Sequence, residues 1–200
     1  MKLILTRHGE TEENKLDINQ GWKPGHLSEI GIEQAKALAG ILKDAKIDVI
    51  YTSDLSRCVK TSSEIRKYHP KAEYLEDKRL RERSTGIFEG TIIGEGDWDS
   101  LDNDLYNNKP KGGESFVEVW ARIKDFYEEL LRKYADTDEI ILVVGHGGSM
   151  CLLLGAIYHK DLEYSLSKID KLKNTAFTEL ELHKDGSYKI LLLNSEKHLE

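Results

Sequence analysis

Cysteine is scarce in this chain: Cys58 and Cys151 are the only two among 200 residues. They form no CxxC pair and stand in no metal-ligand spacing with histidine, which excludes a disulfide scaffold and a zinc ribbon. Two isolated thiols fit a reducing, cytoplasmic compartment. A surplus of positive charge is lacking as well. Thirty-six acidic residues against 29 basic ones give a formal charge of −7. Such a chain has no general attraction for nucleic acid or anionic membranes, so an anionic ligand must be caught by a local cluster of cations. Long hydrophobic runs are few. MKLILTRHGE holds three consecutive aliphatic residues, too few for a signal peptide. Residues 140–158 carry no formally charged side chain and have the length of a membrane span. Gly145, Gly147 and Gly148 interrupt them, so the stretch is expected to be buried strand, turn and buried helix. The partners expected are small molecules, with neither nucleic acid nor membrane, and no oligomeric state is implied.

Standard phosphate and metal motifs are missing too. No G-x-x-x-x-G-K-[ST] loop occurs. Gly145-x-Gly147 begins like a dinucleotide fingerprint, but Met150 stands where the third glycine belongs. A cysteine phosphatase loop needs an arginine six residues after its cysteine, and Glu64 and Ile157 occupy those positions. Asp102-Asn103-Asp104 lies in an irregular segment, not at the end of an apolar strand. No G-x-S-x-G frames Ser149. Neither H-E-x-x-H nor a carboxylate cluster is present, so no metal and no cofactor are expected.

What is present is a regular α/β pattern. Residues 2–6, 48–52 and 139–144 are short apolar runs, each followed by polar or glycine residues and then a helical period. That alternation predicts a parallel sheet buried on both faces. Ile32, Ala35, Leu38, Ala39 and Leu42 share one helical face, and Leu55, Cys58, Val59, Ser62 and Ile65 another, with Ser53 or Asp54 as its N-cap. Ser115 and Glu118 form an S-x-x-E capping box ahead of a long stripe from Phe116 to Tyr134. Residues 176–182 and 188–193 alternate about Lys184-Asp185-Gly186, a hairpin signal. Two hundred residues suit a single domain, 1–200. Residues 85–113, rich in Gly, Asp and Asn and carrying Trp98 and Tyr106, are its least regular part and are expected to act as a lid.

Three strand ends carry the chemistry. Arg7-His8-Gly9-Glu10-Thr11 comes directly after the first run, Arg57 opens the helix after the second, and His146 ends the third within Gly145-His146-Gly147-Gly148. Ligands of open α/β sheets bind outside the carboxyl ends of the strands. Two arginines and two histidines gathered there suit phosphoryl transfer. The guanidinium fork matches phosphate oxygens, and a neutral imidazole is a nucleophile that splits hydrolysis into two displacements. Arg7 and Arg57 should favour the neutral form of His8, and Gly9 should permit close backbone approach. A leaving alkoxide needs a proton. Glu82 is the expected donor, with Glu10, Glu89 and Glu114 as rivals. Lys109 and Lys111 could attract a second anion but read as a solvated loop. The other histidines, at 26, 69, 159, 183 and 198, read as surface or core residues.

These blocks resemble the histidine phosphatase superfamily, the phosphoglycerate mutase-like proteins. The resemblance runs through Arg7-His8-Gly9-Glu10-Thr11 with Asn14, then Leu27-Ser28-x-x-Gly31-x-x-Gln34-Ala35 and Tyr51-Thr52-Ser53-Asp54-Leu55-x-Arg57. Leu80-x-Glu82-x-x-x-Gly86-x-x-Glu89-Gly90, Gly112-Gly113-Glu114-Ser115 with Arg122, Val144-Gly145-His146-Gly147 and Asn174-Thr175 come after them in family order. It implies a three-layer sandwich, a mostly parallel sheet with helices on both faces and one antiparallel strand. It implies His8 as the phosphorylated residue, a phosphate pocket of Arg7, Arg57 and His146 with Asn14, Gly9, Thr11 and Gly147 as further contacts, Glu82 as proton donor, and no metal. The sequence departs from the family pattern at Thr91-Ile92-Ile93-Gly94-Glu95-Gly96 and at Pro24-Gly25-His26-Leu27, where members usually set substrate choice.

The leading expectation is a phosphomonoesterase for small metabolites. The alternatives are a cofactor-dependent phosphoglycerate mutase and a non-catalytic phospho-ligand binding protein. Mutases of this family usually carry a longer insertion after the acidic residue than residues 85–113 provide, and a mere binder needs neither nucleophile nor acid.

Overall fold

The computed structural model describes residues 1–95 and 104–200. The three apolar runs become β1 (Lys2–Arg7), β2 (Val49–Thr52) and β4 (Ile140–Gly145) of one sheet. The others are β3 (Glu73–Glu76), β5 (Phe177–Leu182) and β6 (Tyr188–Ser195), in the order β3-β2-β4-β1-β5-β6. β3, β2, β4 and β1 are parallel, and β5 is antiparallel to both its neighbours. One strand is therefore reversed, and β6 again runs with β1. β3 was not expected: its EYLE sequence is an edge strand with no buried residue, so it has no hydrophobic run to announce it. The hairpin forms as expected, with Gly186 at φ +81° in its turn.

Side chains that alternate along the central strands split into two cores. Leu3, Leu5, Tyr51, Ile141 and Val143 face one side, against α4 (Phe116–Tyr134) and α5 (Gly147–Ile157). Ile4, Ile50, Leu142 and Val144 face the other, against α2 (Glu29–Leu42) and α3 (Ser56–Arg66). The result is the expected three-layer α/β sandwich. Each fully buried Leu, Ile or Val contributes about 1.5–3 kcal/mol. The Ser115–Glu118 capping box closes both ways at the start of α4. Residues 140–158 resolve into β4 and α5, and no described helix is long and apolar enough to cross a membrane.

Two local expectations need correction. Ile32 is 39% exposed, because Gly31 takes the buried position where α2 meets the first loop. The N-cap of α3 is Leu55, without a side-chain cap. Ser53 Oγ is engaged by His146, and the Asp54 carboxylate by Arg81. The short helices α1 (Glu12–Lys15) and α6 (Leu162–Lys168) complete the set.

In the irregular segment, residues 86–88 form a 3-10 turn. Hydrogen bonds at Gly90, Thr91 and Ile93 tie the next few residues to Asp17 and Asn19. Trp98 and Asp102-Asn103 lie outside the described residues.

Candidate active site

Parallel register brings the functional strand ends level. Arg7 stands opposite Gly145 and Thr52 opposite Val144, so His8, Ser53 and His146 leave the sheet at one edge. A cavity of about 400 Å³ opens there, lined by Arg7, His8, Asn14, Arg57, Glu82, His146 and Gly147 among others. Its size is in the range of small-molecule sites.

His8 is buried at the end of β1. Its backbone N–H continues the ladder to Gly145 O at 3.0 Å, and its carbonyl accepts from Asn174 Nδ2 at 2.9 Å. Its Nδ1 lies 2.7 Å from Gly9 O. A carbonyl only accepts, so Nδ1 carries the proton and the lone pair of the neutral ring sits on Nε2. Burial, then Arg57, then Arg7, hold the His8 pKa well below its ordinary value. The His146 ring lies edge-on, 5.2 Å between centroids. Burial, then Arg57, also keep His146 neutral. Its Nδ1 accepts from Arg57 Nε at 3.1 Å, so its Nε2–H donates to Ser53 Oγ at 2.9 Å.

Arg57 is 1% exposed and among the largest fully buried side chains. Besides the bond to His146, it donates to Gly21 O at 2.8 Å and Lys23 O at 3.2 Å. Two of its five N–H groups are left over. Arg7 donates to Leu172 O at 3.2 Å, and its buried Nε has no partner. Burial lowers both arginine pKa values, yet guanidinium keeps its charge. Two desolvated cations with uncommitted donors, facing one carboxylate, make an anion site.

Glu82 lies across the cavity. Its Oε2 accepts from Gly148 N–H and its Oε1 from Arg83 N–H, both at 2.9 Å. Arg122 fixes this loop by donating to the carbonyls of Arg79, Arg81 and Glu82. The rival carboxylates are placed elsewhere. Glu10 takes the Ser28 hydroxyl, Glu89 the Trp22 and Thr85 amides, and Glu114 the Arg122 guanidinium. None of the three lines the cavity.

The remaining expected contacts divide. Asn14 lines the cavity; its Oδ1 accepts from Thr11 N–H at 3.2 Å and from Asn174 at 3.4 Å. Thr11 does not line it. Its hydroxyl caps α1 and accepts from Gln20 Nε2 at 2.9 Å, which makes it a buttress for Asn14. Gly9 is also outside the lining, and a Cβ there would meet Gly31 O at 2.4 Å, so its smallness serves packing against α2. Sequence reasoning missed Ser53 as the support of His146 and named Asn174 only within a family block, without a role. It also overlooked Arg83, Lys171 and Thr85, which line the cavity.

Comparisons with known proteins bear on the family and the fold. The family model of the histidine phosphatase superfamily (branch 1) matches residues 3–196. A Schizosaccharomyces pombe protein named "Probable phosphatase C1687.21" is 30% identical over 204 residues, covering 100% of this chain and 96% of its own. A 2,3-bisphosphoglycerate-dependent phosphoglycerate mutase of Brucella ovis is 33% identical over 165 residues, covering 78% of this chain and 80% of its own. A solved mycobacterial glucosyl-3-phosphoglycerate phosphatase is similar with a TM-score of 0.83 at 26% identity, covering 98% and 99% of the two chains. The chain belongs to the histidine phosphatase superfamily. Within it, the fold and the names of its relatives support a phosphatase acting on small metabolites.

Proposed function

We propose that this protein is a metal-independent phosphomonoesterase of the cytoplasm, acting as one domain on small-metabolite phosphate esters through a phosphohistidine on His8. The observation that carries the reading is the 2.7 Å contact between His8 Nδ1 and Gly9 O, which leaves the Nε2 lone pair in a cavity shared with one carboxyl and two guanidinium groups that each keep uncommitted donors. In the first step Nε2 attacks phosphorus, the P–O bond to the leaving group breaks, and Glu82 gives its proton to the departing alkoxide. In the second step water attacks the phosphohistidine. The P–N bond breaks, Glu82 takes the water proton, and phosphate leaves. Arg7 and Arg57 stabilise the charge on the outer oxygens throughout, a role that elsewhere falls to a metal ion. His146, held by Ser53, positions Arg57 through the bond to its Nε. The segment 85–113 borders the cavity at Thr85, which supports its reading as a lid.

The test is hydrolysis of p-nitrophenyl phosphate in EDTA by the wild type and His8→Ala, with acid-labile phosphoenzyme trapped from the wild type. Activity and phosphoenzyme lost only in His8→Ala would support the reading. Activity surviving in His8→Ala would refute it, and phosphoryl return to an acceptor that depends on 2,3-bisphosphoglycerate would point to a mutase instead.

A further inference from the structure

Arg7 and Arg57 account for one phosphoryl group, but the cavity holds more positive charge than that group uses. Arg83 and Lys171 line it as well. Neighbouring arginines are neutralised by acids: Arg79 by Asp77, Asp125 and Glu129, Arg81 by Asp54, and Arg122 by Glu114. Neither Arg83 nor Lys171 has a carboxylate partner among the described residues. Arg83 lies 4.0 Å from the Phe116 ring centroid and donates to Glu114 O at 2.8 Å and Asn108 O at 3.3 Å, both neutral acceptors. Burial lowers its pKa, and the nearby Glu114 and Glu82 carboxylates offset that only in part. Lys171 flanks Arg7. A Cβ on Gly147 would stand 3.6 Å from Lys171 Cδ and 3.8 Å from Arg7 Cζ. The Thr85 hydroxyl, also in the lining, is buried without a partner. Lys109, which with Lys111 read from sequence as part of a solvated loop, is exposed and paired with Glu118.

Among the described lining residues, four cations thus face the single carboxyl of Glu82. A phosphate dianion neutralises two of them. We infer that Arg83 and Lys171, with the Thr85 hydroxyl, form a second anion subsite, and that the preferred substrate carries a carboxylate or a second phosphate besides the ester phosphate transferred to His8. This rests on the phosphatase reading above.

The experiment compares esters that differ in the second anion alone: 3-phosphoglycerate against glycerol 3-phosphate, and fructose 1,6-bisphosphate against fructose 6-phosphate. Rates are normalised to p-nitrophenyl phosphate. A charge-assisted contact made to the remote group predicts a preference of about 10–100-fold in kcat/KM for the doubly anionic member of one pair. That pair identifies the group as carboxylate or phosphate. Lys171→Gln and Arg83→Gln should each remove most of the preference, mainly through KM, and Lys171→Arg should restore it. Arg83 supports the loop at Glu114, so if Arg83→Gln fails to fold, the solvent-exposed Lys171 decides the matter. No preference in either pair, or a preference that survives Lys171→Gln, overturns the subsite and leaves the phosphatase reading standing. Absence of wild-type hydrolysis of every ester overturns both.

Discussion

Alanine at position 148 would move the proposed proton donor without altering it. A Cβ built on Gly148 lies 2.4 Å from Glu82 Oε1, 3.2 Å from Cδ and 3.3 Å from Oε2. Ordinary van der Waals contact begins at 3.4 Å, so Oε1 must retreat by about 1 Å. The group that yields is the end of a flexible side chain. The backbone at Gly148 lies in the first turn of α5, and its φ is not positive. Helical alanine is favoured over glycine by up to ~1 kcal/mol, so Tm should hold or rise slightly. Catalysis should not hold. A misplacement of ~1 Å costs about 10²-fold, and general acid catalysis as a whole is worth about 10²–10⁴-fold. Gly148→Ala should therefore lower kcat for an alkyl ester such as glycerol 3-phosphate by roughly 10²-fold. The loss on p-nitrophenyl phosphate, whose leaving group needs little help from a proton, should be far smaller. The assay is kcat on both esters beside a thermal unfolding scan. Equal losses on the two esters at unchanged Tm would show that Glu82 does not protonate the leaving group.

The same geometry yields three further outcomes. The pKa values of His8 and His146 are depressed in the native protein, so below about pH 6.5 the unfolded chain binds protons that the native one refuses. Their contribution to stability is full above that pH and is lost as pH falls, at up to about 1.4 kcal/mol per unit for each ring. Urea unfolding from pH 7.5 to 5 should show a shallower slope in His146→Gln, and an unchanged slope would contradict the assignment. Gly31→Ala places a Cβ 1.9 Å from Glu10 O, a backbone atom, and should destabilise by about 1–3 kcal/mol, read as a fall in Tm of several degrees. Arg57→Ala should lower kcat about 10²–10³-fold on every ester alike, since it acts on the phosphoryl group and not on the leaving group. A loss confined to poor leaving groups would remove Arg57 from that role.

The inner half of the site was legible because its residues sit at strand ends. A short apolar run marks each strand, and parallel pairing sets the residues just beyond the strands side by side. His8, Arg57 and His146 needed no further information to be brought together. Glu82 was legible only as one of four acids. Its selection depends on Arg122 pinning the loop from α4, a contact across 40 residues. Thr11 was misjudged because its hydroxyl serves the local helix α1, and side chains that cap are not told from side chains that bind by motif alone. Ser53 shows the converse: a plausible cap whose hydroxyl goes to a histidine 93 positions away. β3 went unseen because an edge strand need bury nothing.

Arg83 and Lys171 were hidden for a more instructive reason. A cation is available to a ligand when no carboxylate stands beside it, and sequence does not show that absence. The protein holds its site arginines with neutral acceptors: Gly21 O and Lys23 O for Arg57, Leu172 O for Arg7, Glu114 O and Asn108 O for Arg83. Backbone carbonyls satisfy the N–H groups and fix the fork while leaving the positive charge for the ligand. Arg79 and Arg81, tied to carboxylates, have their charge used up in the fold. The distinction is one of partner, not of residue type. The same choice bears on the nucleophile, because unneutralised Arg57 and Arg7 help keep His8 unprotonated. A carboxylate in place of the carbonyl of Gly21 or Lys23 would weaken phosphate binding and raise the His8 pKa together. The overall charge of −7 thus coexists with a cavity whose cations are held almost entirely by neutral groups.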